Sequence, residues 1–180
     1  QTGTGKTAAF SLPILDALAK IPTNNNSSKT IRALILTPTR ELAQQVALNV
    51  EAYSEFLPLS CGAVYGGVNM PPQTKMLKQG VDVLVATPGR LLEHLVARTV
   101  DLSQVKILVL DEADRMLDMG FLNDIQQLIS VIKQKHQTLM FSATFSNKVK
   151  TLAKQVLNTP KTLEVSRQNS TSGKVKQSVY

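Results

Sequence analysis

Five short apolar runs, each preceded or followed by helical spacing, constrain this chain more than any other feature. The runs 81–86 and 105–110 are apolar at every place but one each, Asp82 and Lys106. Runs of that kind suit strands buried on both faces, and such strands belong to parallel sheets covered by helices. Further strands are expected at 31–36, 61–65 and 138–141, with a last one over 161–165. Between them lie helical stretches. Leu42, Val46, Val50, Tyr53 and Leu57 step by three or four through 40–57. Helices are also expected at 71–79, 89–97, 121–133 and 147–157, with an opening one through Phe10, Ile14 and Leu18. Alternation of this kind reads as one α/β domain with an open parallel sheet and right-handed crossovers.

In such sheets ligands sit beyond the carboxyl ends of the strands. After 31–36 comes Thr37-Pro38-Thr39-Arg40-Glu41, and after 61–65 comes Gly66-Gly67. After 81–86 comes Thr87-Pro88-Gly89-Arg90; after 105–110, Asp111-Glu112-Ala113-Asp114; after 138–141, Ser142-Ala143-Thr144. All five ends carry polar, charged or glycine residues, and all five fall on one rim.

Residues 3–7, Gly-Thr-Gly-Lys-Thr, open the first helix. Glycines let backbone N–H groups converge on phosphate oxygens, and a helix N-terminus adds its dipole. Thr2, Gly3, Thr4 and Gly5 are the candidate cradle. Lys6 can reach outer phosphates, and the Thr7 hydroxyl suits Mg²⁺. The full pattern G-x-x-x-x-G-K-[ST] would begin one place upstream of Gln1. Asp111-Glu112 adds a second signal. Acids at the end of an apolar strand are costly unless they serve something. In a phosphate-loop domain the first acid holds Mg²⁺, and the next can polarise an attacking water.

Composition bounds the rest. The 180 residues are 43% hydrophobic, enough for a real core, and 18% charged, which excludes wholesale disorder. No apolar run approaches the roughly 18 residues of a membrane helix, and no signal-like segment opens the chain. The one cysteine, Cys61, reads as a small buried hydrophobe. With His94 and His136, both read as surface residues, it cannot build a zinc site. A reducing, cytoplasmic setting is expected. The net charge of +7 is uneven: residues 1–132 carry eleven Lys and Arg against twelve acids, and 133–180 carry nine against one. Lys148, Lys150 and Lys154 read as a solvated helix face. Met116, Leu117, Met119, Phe121 and Leu122 read as packing beneath the acidic box.

Together these stretches resemble the DEAD-box RNA helicases. Asp111-Glu112-Ala113-Asp114 spells the box that names that family. Residues 1–7 resemble its motif I, and Pro38-Thr39-Arg40-Glu41-Leu42 its motif Ia. Gly66-Gly67 looks like its glycine doublet, Thr87-Pro88-Gly89-Arg90 is similar to motif Ib, and Ser142-Ala143-Thr144 to motif III. The stretches 116–121 and 138–146 are most similar to bacterial members. The resemblance implies the first of two RecA-like domains of an ATP-dependent RNA helicase, over residues 1–165. Residues 166–180 would then be an exit linker toward the second. It implies that Lys6 contacts phosphates, Thr7 and Asp111 serve Mg²⁺, and Glu112 positions the water. Asp114 would hydrogen-bond Ser142 and Thr144. Pro38, Thr39, Arg40, Gly66, Gly67, Thr87, Gly89 and Arg90 would touch the RNA backbone. Planar arginine forks and bare glycine backbone suit phosphates and carry no base information.

Measured against the family, the sequence is expected to be a fragment. It lacks the strand leading into the phosphate loop, the upstream glutamine motif that reads adenine, and the second domain. The missing strand is expected inside the sheet, beside the strand ending at Asp111. Two other classes stay open on the residues alone: a DNA-directed or general phosphate-loop ATPase, and a non-catalytic RNA clamp that only holds ATP.

Overall fold

The computed structural model describes residues 5–21 and 30–164. The other residues, among them Thr2, Gly3, Thr4 and the expected linker 166–180, lie outside it. Five parallel strands form one sheet in the order β2-β3-β1-β4-β5. They are β1 (Ala33–Leu36), β2 (Cys61–Val64), β3 (Val83–Ala86), β4 (Ile107–Leu110) and β5 (Gln137–Met140). Each is four residues long: β1, β3 and β4 begin two residues into their apolar runs, β2 ends one residue early, and β5 is shifted by one.

Helices α1 (Lys6–Ala19) and α2 (Arg40–Tyr53) cover one face. There Phe10, Ile14, Leu15, Leu18, Val46 and Val50 meet Ala33, Ile35, Val83, Val85 and Val109 of the sheet. The opposite face takes α3 (Met70–Gln79), α4 (Pro88–Val96), α5 (Ala113–Asp118), α6 (Leu122–Ser130) and α7 (Asn147–Val156). Alternate strand residues, Leu34, Leu36, Leu84, Leu108 and Leu110, point to that side. Burying both faces is why the inner strands read as continuous apolar runs.

Helix α2 leaves β1 toward one face, and α5 leaves β4 toward the other. The gap between the carboxyl ends of β1 and β4 is therefore the switch point of the sheet, where ligands of open α/β sheets bind.

Local chemistry starts the helices. The Thr39 hydroxyl accepts the Leu42 N–H at 3.3 Å and caps α2. Ser146 does the same for Val149 at 3.4 Å at the head of α7. Pro88 occupies the first turn of α4, where its missing N–H costs nothing.

The structure corrects several expectations. The place beside β4 is filled on both sides, by β1 and β5, so a further strand could pair only at β2 or β5. Residues 161–164 form no strand and are exposed. The acidic box starts a helix of its own, α5, too short to announce itself by periodicity. Met116 and Leu117 are buried as expected, but Met119 and Leu122 are 49% and 37% exposed. His94 is not on the surface; it is wholly buried on α4, with Nδ1 2.8 Å from the Thr99 hydroxyl. It lies on the stripe of α4 that also buries Leu91, a stripe its polar neighbours concealed. The lysines of α7 are exposed, as read, while His136 is half-buried, with Nδ1 2.9 Å from Gln134 O.

A buried ion pair ties the far rim. Arg32 donates to Asp82 at 2.7 and 3.1 Å and to Leu18 O at 3.1 Å, so it fastens the end of α1 to β3. Asp82 also accepts from Ser60 N and Oγ, which leaves the charge well paired.

Candidate nucleotide and nucleic-acid site

Gly5, Lys6 and Thr7 stand at the head of α1, across a cleft of about 190 Å³ from Asp111 and Glu112. Gly5 adopts φ +73°, a left-handed turn that favours glycine, and with Lys6 and Thr7 it lines the cleft at the head of α1. No group of three His, Cys, Asp or Glu that could hold a metal occurs among the described residues. A cation here would have to draw ligands from elsewhere, such as water and phosphate. That is how Mg²⁺ is ordinarily held, through one or two carboxylates plus substrate oxygens. Asp111 and Thr7 are hard oxygen donors and fit such a role.

Asp111 is only 4% exposed. Burial raises its pKa; the Lys6 ammonium and the Glu112 N–H, which donates to Asp111 Oδ1 at 3.0 Å, pull it back. Glu112 and Asp114 push it up again. One cation, Lys6, lines this cleft against the two acids Asp111 and Glu112, an excess of negative charge that favours a bound cation. Glu112 itself sits at φ 50° and ψ 51°, left-handed for a residue with a Cβ. Such strain, of order 1–3 kcal/mol, persists where a site needs the geometry. Here it turns the chain out of β4 so that consecutive acids face one cleft.

Asp114, on the first turn of α5, reaches the end of β5. Thr144 N–H donates to its carboxylate at 3.0 Å, while the Ser142 hydroxyl turns to Thr144 O at 2.8 Å. Burial alone would raise the Asp114 pKa. Donors from Thr144 and Arg115, with the Ser142 hydroxyl close by, outweigh it and hold the carboxyl below its ordinary value. The Ala113 N–H, bonded to Phe141 O at 2.9 Å, makes a second tie between the box and β5.

The remaining candidates gather on the same rim. Pro38 is buried, so only its backbone is on offer, and the Thr39 hydroxyl is spent on its cap. Arg40 is exposed; it donates to Gly67 O at 3.3 Å and lies 5.5 Å over the Tyr65 ring. Gly66 has open space where a Cβ would be, and Gly67 turns at φ +76°. Thr87 is buried ahead of α4. Gly89 faces Asp124 and Phe121, each just under 4 Å from where its Cβ would stand. Arg90 is mostly buried; it donates to Val68 O at 2.9 Å, with Nε 2.9 Å from the Glu93 carboxylate. The two arginines thus converge on one loop.

Sequence reading missed the cleft's other wall, Leu42, Gln45, Asn49 and Tyr53. Gln45, Asn49 and Tyr53 recur every four residues along α2, a polar stripe beside the apolar one. It also missed Tyr65, Gln44 and Gln73, whose role depends on contacts between elements.

The family model for DEAD/DEAH box helicases matches residues 1–152. The whole chain is 43% identical to 29% of the length of the ATP-dependent RNA helicase DeaD of Buchnera aphidicola subsp. Schizaphis graminum. It is 38% identical, over 98% of its length, to 35% of the DEAD-box ATP-dependent RNA helicase CshA of Bacillus subtilis. The chain therefore spans about a third of the curated relatives it matches. Among solved structures, the yeast DEAD-box splicing factor Prp28 superposes with a TM-score of 0.82 at 34% identity, covering 88% of this chain and 38% of that one. Fold, rim and matched sequence agree: the chain belongs to the DEAD/DEAH box helicase family.

Proposed function

We propose that this chain is the first RecA-like domain of an ATP-dependent RNA helicase, in which ATP hydrolysis drives RNA duplex unwinding or remodelling. The observation that carries the reading is the shared cleft, with Lys6 and Thr7 on one wall and Asp111 and Glu112 on the other. Gly5 and the residues before it would cradle phosphates, and Lys6 would neutralise the outer ones. Thr7 and Asp111 would hold Mg²⁺. When bound, the ion would supply positive charge against the phosphates and against charge that develops in phosphoryl transfer. Glu112 would orient a water for attack on that phosphoryl and take up its proton.

Asp114 with Ser142 and Thr144 would couple this cleft to the RNA side. Pro38, Thr39, Arg40, Gly66, Gly67, Thr87, Gly89 and Arg90 would meet the RNA backbone, Pro38 through its main chain. A second RecA-like domain would supply arginines that complete the ATP site. Among the described residues no helix is long and apolar enough to cross a membrane. The setting we propose is cytoplasmic, where a single unpaired cysteine is ordinary.

The test is ATP hydrolysis by the full-length protein alone, with RNA, and with DNA of the same length. The reading requires stimulation by RNA well above that by DNA. Equal stimulation by both, or none by either, would replace it with a general ATPase.

A further inference from the structure

Among the described residues strand β2 is an edge of the sheet, with no strand beyond it where the chain leaves at Tyr65. The N–H and C=O of Tyr65 still need partners. Both are met by one side chain. Gln73, on α3 and 7% exposed, accepts from Tyr65 N at 3.0 Å and donates to Tyr65 O at 3.2 Å. Its amide serves Tyr65 as a neighbouring strand would. The same Nε2 donates to Asn69 O at 3.4 Å and closes the loop Gly66–Asn69 on itself.

The rest of the loop is fastened in turn. Gln44 Nε2 donates to the Tyr65 hydroxyl at 2.9 Å and fixes the ring. That ring underlies Arg40, whose guanidinium donates to Gly67 O. Arg90 takes the next carbonyl, Val68 O, from the other side. Three helices, α2, α3 and α4, therefore hold the five residues Tyr65–Asn69, and the two arginines are struts as well as cations. An arginine has five N–H donors, so each keeps donors for a phosphate while one holds the loop.

We propose that Gln73 is a positioning residue for RNA-backbone recognition: its amide preassembles the Gly66–Asn69 loop and, through Tyr65, sets the direction of Arg40. The inference rests on the RNA reading given above. A loop already ordered before binding spares the ordering cost that otherwise weakens association. Gln73 does not itself touch RNA in this account, so its loss changes affinity without changing the number of phosphates contacted.

The experiment uses the full-length protein and a fluorescent single-stranded RNA, with Kd followed by anisotropy across a salt series. Gln73→Leu keeps the volume and removes all three bonds. Its Kd is expected to rise about tenfold, the size of lost preorganisation. Nucleotide affinity should stay within about twofold of the parent, and the logarithmic salt slope should be unchanged. Arg40→Ala, which removes a contact, should flatten that slope. An RNA Kd for Gln73→Leu within about twofold of the parent overturns the proposal, as does an equal loss of nucleotide affinity, which marks general damage. If Gln73→Leu does not fold, Gln44→Leu and Tyr65→Phe carry the test. Each removes the hydroxyl bond alone and should weaken RNA binding by about threefold; no change in either overturns the proposal. Should Arg40→Ala and Arg90→Ala also bind RNA like the parent, the RNA reading itself fails. Loss in the arginine variants with none in Gln73→Leu removes only this inference.

Discussion

The Thr144 N–H donates to the Asp114 carboxylate at 3.0 Å, a single bond that joins the acidic box after β4 to the end of β5. Thirty residues separate the two in sequence. Asp114 is therefore both an anchor for the loop after β5 and a titrating group whose charge the fold favours.

That charge gives a pH dependence with a definite sign. The Asp114 pKa is lowered in the folded state, so its stabilisation is complete above the ordinary aspartate value of 3.8. It is lost as pH falls from there through the lower folded value. Asp114→Asn should melt earlier than the parent at pH 7, and the gap between the two should close below about pH 4. Thermal melts of both chains between pH 7 and pH 3 check this.

Asp111 behaves in the opposite sense. Its pKa is raised, chiefly by burial, so the ionised form at neutral pH is a cost to the fold. Asp111→Asn should raise stability at pH 7 by roughly 0.5–2 kcal/mol, the usual size when a functional group's cost is relieved. The same change should abolish Mg²⁺-dependent nucleotide binding. Calorimetric melts and nucleotide titrations of one variant read both effects.

Most of the scaffold was legible in the sequence because burial on two faces leaves apolar runs that nothing else explains. The five strand ends, and hence the rim, followed from those runs. What escaped depends on contacts across elements. His94 lies on a helix face whose buried stripe is broken by polar neighbours. Gln73 and Gln44 look like ordinary surface amides until Tyr65 is placed between them. The order of the strands was also hidden: periodicity fixes where strands lie but not which neighbours they take, so the slot beside β4 was misjudged. The acids of the box were legible, but not the left-handed turn at Glu112 that points them into one cleft.

Cys61 offers a check on the packing of the β2 edge. Burial, aided by the Glu51 carboxylate, pushes its thiol up to about 12. The thiolate is the reactive form, so native protein should resist iodoacetamide at pH 8. Unfolded chain should react at an ordinary cysteine's rate. Mass spectrometry after timed labelling measures the ratio, expected to be at least about a hundredfold. Rapid native labelling would mean that β2 opens readily.

RNA binding should be indifferent to sequence, since the groups converging on the Gly66–Asn69 loop are backbone amides and arginine forks. Arg40→Ala should weaken binding to oligonucleotides of different composition by the same factor. Arg90→Ala should do so too and also lower the melting temperature, because Arg90 is mostly buried against Val68 and Glu93. Anisotropy titrations with two unrelated sequences separate this from base readout, which would shift one sequence more than the other.

Lys6, Thr7, Asp111 and Glu112 are proposed to form one hydrolytic site, with Glu112 acting on the water and not on nucleotide binding. Glu112→Gln keeps the side-chain shape and removes the base. In the full-length protein with saturating RNA, its ATP turnover should fall by about 10²- to 10⁴-fold while nucleotide affinity stays within a few-fold of the parent. Turnover that matches the parent at unchanged affinity would contradict the assignment of this cleft.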